Sequence, residues 1–439
     1  MDDDAKLSSA RPLQEAPLDA REKGVPGMFG KLPLSNVRAQ KWQLLGEDLP
    51  LPAAVIRASS LRNNSAWMKA FADTANARFA PHGKATMCPT LFDLQTHDGA
   101  WGLTVATPHQ LQVARSFGYG RILLANQLVG RSAIEWTMDE LQRCADFEFY
   151  CLVESIENID RLIEAARRKR LSRPLQVLVE MGFGGGRTGC RSVDEAVALA
   201  SVIAKNTDVI ALRGVEGYEG IIQGTDDAAT LANVDTFLDT VVECAHGCER
   251  ANLFAPGEVL LSAGGSAFFD RVSVKLGEVK LKRPTIVLLR GGCYLIHDHT
   301  MFARSFERII SRSPSAAAIE PGLSPALEVW AYIQSVPEPG RAIATLGKRD
   351  VSYDEVPTPI KWYRPGSVAS AASVITGDFR VSHLNDQHCY LKIPEDCGWR
   401  VGDMVGFGIS HPCLTFDKWR VLHLVDDDYR VIDSIRTYF

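Results

Sequence analysis

The sequence predicts an α/β chain, a (β/α)8 TIM-type barrel joined to a second, mainly antiparallel β domain. Three observations predict it. Eight short β-branched or aliphatic runs, punctuated by Gly, Asn and Pro, recur between Ala77 and Gly292. Stretches with helical spacing separate them, among them Pro108 to Phe117, Ile156 to Arg168, Ser192 to Lys205 and Ala229 to Ala245. Beyond Gly340 the texture changes to short alternating runs set between Gly, Pro and Asp turns. Strands separated by helices pair in parallel through right-handed crossovers, and eight such units match a closed barrel better than the alternative, an open doubly wound sheet.

Taken in order, residues 1–50 carry weak periodicity and several prolines, and are expected to be an extension associated with the β domain. Residues 51–300 are assigned to the barrel. Its strands are read at Ala77 to Lys84, Trp101 to Thr107, Arg121 to Gln127, Phe147 to Glu154, Leu175 to Gly182, Leu212 to Gly220, Val259 to Gly265 and Thr285 to Gly292. Residues 301–439 form a helical connection, over 301–335, and then the β domain, with strands at Ala342 to Leu346, His388 to Ile393, Met404 to Ile409 and Arg420 to Leu424.

With 46% hydrophobic and 23% charged residues over 439 positions, the chain has the balance of a globular protein with a large core. A net charge of −5 and one short basic run, Arg167–Arg170, give nothing to steer it toward nucleic acid or anionic lipid. The acidic N-terminus lacks the apolar segment of a secretory signal, and no apolar run reaches membrane-spanning length, so a cytoplasmic protein is expected. Ten scattered cysteines suit reduced thiols rather than a disulfide framework.

A barrel places its active site at the C-terminal ends of the strands. Lys84 closes the first, where partial desolvation lowers a lysine pKa and suits it to form an imine with a carbonyl cofactor. The seventh ends in Ala263-Gly264-Gly265-Ser266 and the eighth in Arg290-Gly291-Gly292-Cys293-Tyr294. Read together, these neighbouring loops make a phosphate cradle, with tight barrel turns as the plainer reading. The fifth leads into Gly182-Phe183-Gly184-Gly185-Gly186-Arg187, which lacks the spacing of a dinucleotide fingerprint and instead offers Arg187 as a fixed donor to an oxyanion. The sixth ends with Tyr218 between glycines, free to lie against a planar ring or simply to pack in the barrel. Two patterns resemble metal sites. Cys244-Ala245-His246-Gly247-Cys248 closes a predicted outer helix and lacks a partner pair. His411-Pro412-Cys413, read as strand, would put an imidazole and a thiolate on one side for an ion such as zinc, with Asp417 and His388 as further candidates.

The segments PHGKATMCP, GLTVATPHQ, RILLANQLVG, GGRTGC, GVEGYEG, SAGGS and LRGGCYLIHDH, in this order, resemble the fold-type III enzymes that use pyridoxal 5′-phosphate (PLP), specifically the D-serine dehydratase and D-threonine aldolase group related to alanine racemase. The resemblance implies that Lys84 is the Schiff-base lysine and α-proton base. It implies that Arg187 contacts the cofactor's phenolic side, Tyr218 its ring nitrogen, and Gly264, Gly265, Ser266, Gly292 and Tyr294 its phosphate region. His411 and Cys413 match the H-x-C metal stretch of the dehydratases, where the aldolases carry H-x-D. The expected activity is therefore PLP- and zinc-dependent dehydration of a D-3-hydroxy amino acid to a 2-oxo acid and ammonia. The alternatives are a metal-dependent D-threonine-type aldolase and a non-catalytic PLP-binding protein. A homodimer is expected by the same resemblance.

Overall fold

All eight apolar runs form strands of one parallel sheet. In the computed structural model, which describes residues 16–27, 30–368 and 371–439, they are β1 (Arg78–Phe79), β2 (Leu103–Val105), β3 (Arg121–Gln127), β4 (Glu148–Val153), β5 (Leu175–Met181), β6 (Ile210–Gly217), β7 (Val259–Ala263) and β8 (Thr285–Leu289). Their order around the sheet is β1-β8-β7-β6-β5-β4-β3-β2. A parallel bridge from His82 to Thr104 joins the two ends and closes the barrel. Inside it, Leu123, Leu152, Leu178, Leu260 and Leu288 fill the bore with Ala80 and Tyr150. At about 1.5–3 kcal/mol for each large apolar side chain taken from water, this layer makes the barrel a packed core rather than a pore.

Each strand is followed by a helix: α1 (Pro89–His97), α2 (Pro108–Ser116), α3 (Arg131–Arg143), α4 (Ile156–Lys169), α5 (Val193–Ala204), α6 (Asp227–Arg250), α7 (Phe269–Gly277) and α8 (Met301–Arg312). Several begin where the sequence supplies a cap. Thr107, Ser155 and Asp226 accept the amides of Gln110, Asn158 and Ala229, and Ser192 forms a reciprocal capping box with Glu195. The basic run at the end of α4 is a solvated helix terminus, paired with Glu135, Glu164 and Asp139.

β1 is shorter than predicted. Pro81 has no amide to donate, and the chain turns after it onto a 3-10 segment, Gly83–Ala85, that carries Lys84. The helical expectation for 301–335 also fails at its end, because Leu327–Glu338 is a long strand. Its first five residues are all buried, so the alternation that would mark a strand is absent there.

That strand is central to the second sheet. The sheet runs Ser373–Val374, Thr358–Tyr363, Met404–Gly408, Leu327–Glu338, Arg341–Ala344, Cys389–Lys392 and Arg380–Leu384. The boundary placed at residue 51 needs correction, because Ala53–Arg57 is not barrel. It pairs antiparallel with Leu327–Glu338 and parallel with Val421–Val425, which in turn pairs with Val431–Arg436. Described residues before it lie on this sheet. Gly24 O meets His423 Nε2 at 2.9 Å, Glu22 pairs with Arg436 at 2.6 Å, and Gln43 bridges Arg430. Residues 1–15, 28 and 29 of the expected extension lie outside the described residues. No helix among the described residues is long and apolar enough to cross a membrane.

Candidate active site

The C-terminal ends of the barrel strands, the first turn of α8 and a short segment of the second sheet surround a cavity of about 410 Å³, large enough for a cofactor-sized ligand. Lys84 is reachable from it. The turn that carries this lysine is tightly held. Thr104 donates its hydroxyl to Ala80 O at 2.7 Å and its amide to Pro81 O at 3.0 Å, while a Cβ on Gly83 would stand 2.9 Å from the Phe92 ring of α1. Desolvation pushes the Lys84 ammonium below its usual range; the cations Arg187 and Arg290 add to this, and Cys413 and Cys293 oppose it.

Arg187 also lines the cavity, its guanidinium 4.1 Å from the centre of the Tyr218 ring. Its loop is shaped by Arg191, which donates to the carbonyls of Arg187, Thr188 and Gly189. Tyr218 lies against the glycine loop, close enough that a Cβ on Gly265 would be 3.0 Å from its ring. Beneath them Arg290 is buried and ion-paired with Glu216. It donates to Gly217 O at 3.1 Å and Ser262 Oγ at 2.9 Å. Burial pushes the Glu216 carboxyl up to about 8 despite the arginine, and its second oxygen has no partner.

Gly264, Gly265, Ser266 and Gly292 all line the cavity, but the two glycine amides expected at a phosphate are already taken by a side chain of the protein. Gly264 N and Gly265 N donate to the buried carboxylate of Glu219 at 2.8 and 2.9 Å. Gly264 holds φ +119°, which a side chain would strain, so this turn is fixed from behind and any phosphate donors must come from residues beyond it. Ser266 Oγ ties the turn to its neighbour by accepting Cys293 N at 3.3 Å. Tyr294 is a correction. It is buried away from the cavity, its hydroxyl meets Gln95 Nε2 of α1 at 3.0 Å and its ring packs on Phe79, because the residue after Cys293 points back into the core.

His411 and Cys413 share this cavity, though not on a strand. Pro412 starts a short helix, Pro412–Phe416, with His411 as its cap residue, consistent with the preference of proline for a first helical position. Asp354, which sequence reasoning missed, accepts from His411 Nδ1 at 2.6 Å. This leaves Nε2 as the free ligand atom, the usual arrangement for a metal-binding histidine. Cys413 is hydrogen-bonded to a second thiol, Cys293 from the turn after β8. This contact lowers Cys293 to about 7, helped by Ser266 and His411, and raises Cys413, which burial also raises. The other candidates do not converge here: His388 is exposed on a distant hairpin, and Asp417 pairs with Lys418. Cys244 and Cys248 are packed in α6, hydrogen-bonded to each other. No three His, Cys, Asp or Glu side chains among the described residues already stand as a metal cage.

These residues fit a phosphate-bearing pyridine cofactor and a divalent ion. A lysine, an arginine over an aromatic ring and small-residue turns meet the first, and His82, whose buried Nδ1 has no partner, lines the same space. An imidazole held at Nδ1 and a thiol meet the second.

Comparison with known proteins agrees with the geometry. The family model "Alanine racemase, N-terminal domain" matches residues 56–284, and "Putative serine dehydratase domain" matches 326–425. A D-threonine aldolase of Arthrobacter sp is 23% identical over 378 residues, covering 86% of this chain and 89% of the relative. The solved D-threonine aldolase of Filomicrobium marinum is 22% identical with a TM-score of 0.73, covering 90% of this chain and 97% of that one. A D-threo-3-hydroxyaspartate dehydratase, a mutant in the metal-free form, is 20% identical with a TM-score of 0.69, covering 91% and 99%. The chain thus belongs to the alanine racemase N-terminal domain family, the fold-type III group of PLP-dependent proteins.

Proposed function

We propose that this protein is a PLP- and zinc-dependent dehydratase of D-3-hydroxy amino acids, releasing a 2-oxo acid and ammonia. One observation carries the reading: Lys84 and the His411–Cys413 pair border one cavity, so an α-carbon and a β-hydroxyl of the same small substrate can be served together. When bound, PLP supplies an electron sink that acidifies the α-carbon, and zinc supplies a Lewis acid for the departing hydroxyl. Lys84 Nζ would hold the cofactor, and it is the group placed to take the α-proton. Its lowered pKa keeps a share of the amine neutral for that task. Arg187 and the ring of Tyr218 fix the cofactor's orientation, and the Glu219-held turn with Ser266 and Gly292 receives its phosphate end. His411 Nε2 and Cys413 Sγ hold the ion, with Asp354 fixing the imidazole. Two such chains pair, the β sheet of one closing the barrel of the other.

The thiol at position 413 favours zinc and elimination. Aldol cleavage to glycine and an aldehyde is the second reading, because both D-threonine aldolases named above span nearly the whole chain. The test is to incubate the holoenzyme with D-serine, D-threonine, D-threo-3-hydroxyaspartate and D-3-phenylserine, following ammonia, 2-oxo acid, glycine and aldehyde with and without a chelator. Ammonia and 2-oxo acid that disappear with the chelator are expected. Glycine with aldehyde would replace this reading by the aldolase, and no product from any substrate would leave a non-catalytic PLP-binding protein.

A further inference from the structure

Among the groups at the cavity that the proposed chemistry leaves unused is the thiol of Cys293. It reaches the cavity from the barrel, on the turn after β8, whereas Cys413 reaches it from the second sheet. Two parts of the chain thus bring two reduced sulfurs into hydrogen-bond contact beside the imidazole of His411. Most other cysteines are buried, and burial alone raises the thiols of Cys151 and Cys389, as in ordinary core packing. Cys293 differs in facing the cavity, with its own backbone anchored to Ser266.

We propose that Cys293 is a third protein ligand of the metal ion, completing with Cys413 and His411 a two-thiolate, one-imidazole site. This rests on the metal reading above. Zinc at a catalytic site takes three protein ligands and leaves one position to water or substrate, and His411 with Cys413 supplies only two. Sulfur is also the donor a borderline-soft ion prefers, and each thiol releases its proton to solvent on binding. The two sulfurs are the preformed half. The imidazole, a third exposed and ahead of a short helix, is the donor the ion draws in. The fourth position stays open for the β-hydroxyl, and an ion bridging the turn after β8 to the second sheet would fix the distance between Lys84 and the hydroxyl that must leave.

The test counts sulfurs. Holoenzyme stripped of metal and kept reduced is loaded with cobalt(II), and its spectrum is taken against the metal-free holoenzyme, so that cofactor absorbance cancels. Thiolate-to-cobalt absorbance per bound ion should halve in Cys293→Ser and likewise in Cys413→Ser, with metal content measured separately and cobalt affinity about 10–100-fold weaker in each. X-ray absorption on zinc-loaded wild type needs no substitution and should show two sulfurs at about 2.3 Å. Unchanged cobalt absorbance in Cys293→Ser, or one sulfur in the zinc spectrum, overturns the proposal and leaves the His411–Cys413 reading standing. Wild type that binds neither ion overturns both.

Discussion

The barrel mouth and the wall that the second sheet presents to it are built by opposite means. On the barrel side the polar groups are buried and already matched: Arg290 with Glu216, Glu219 with two glycine amides, Thr104 with the carbonyls before Lys84. On the sheet side His411 and Asp354 are each about a third exposed, and the thiols find partners only in each other and in groups around the cavity. The first arrangement holds a rigid ring in one pose. The second can adjust around an ion. The dehydration proposed above, which would fix a planar cofactor while a hydroxyl moves away from it, needs both.

Four measurements bear on this contrast. Lys84→Ala should have the largest effect, a loss of turnover of about 10³-fold or more, since it removes both the anchor and the proton acceptor. It should also abolish the imine absorbance of the loaded protein, whereas an unchanged spectrum would move the anchor elsewhere. Arg290→Ala leaves the buried Glu216 carboxyl, Ser262 Oγ and Gly217 O without their donor and should cost about 3–5 kcal/mol of unfolding free energy in urea, a value that a flexible mouth would not reach. His423 tests whether the sheet behind its rim is as fixed as the barrel. Burial holds it at about 4 against an ordinary 6.5, between Ser434 Oγ and Gly24 O. Between those values the unfolded chain binds the extra proton, so stability is full above pH 6.5 and should fall by about 3 kcal/mol as the pH drops to 4. His423→Gln should flatten that slope. Asp354→Asn should be mildest, weakening zinc about 10–100-fold in a competition titration with little change in melting temperature. An equal loss of stability would make Asp354 a structural carboxylate instead.

The strands were legible because each apolar run ends in small or turn-forming residues and is followed by a helix, several of them capped by a side chain. Ala53–Arg57 and Leu327–Ala331 escaped for a common reason: both are buried on both faces and show no alternation, so the first falls within the barrel boundaries without reading as a strand and the second reads as helix. At the site, Lys84, Arg187 and the glycine turns could be found because strand ends are where a barrel puts chemistry. Tyr294 could not be placed, since adjacency to a glycine turn does not say which way the next side chain points. Glu219 and Asp354 read as ordinary charges in the sequence. Only their partners, 45 and 57 positions away, reveal them.

The strand Ala53–Arg57 carries a consequence for how the molecule is assembled. Arg57 N donates to Ala326 O at 2.8 Å, so the chain enters the barrel and leaves it at hydrogen-bonded neighbours. The barrel is therefore topologically a very long hairpin loop inserted between two adjacent strands of the other sheet. During synthesis the first of those strands emerges long before its partners, and the sheet cannot close until the whole barrel has been made. Barrel first, sheet second is the order this connectivity favours. A fragment cut at residues 58 and 326 would keep its ends together, whereas one cut at 51 and 300 would carry away a strand the sheet needs.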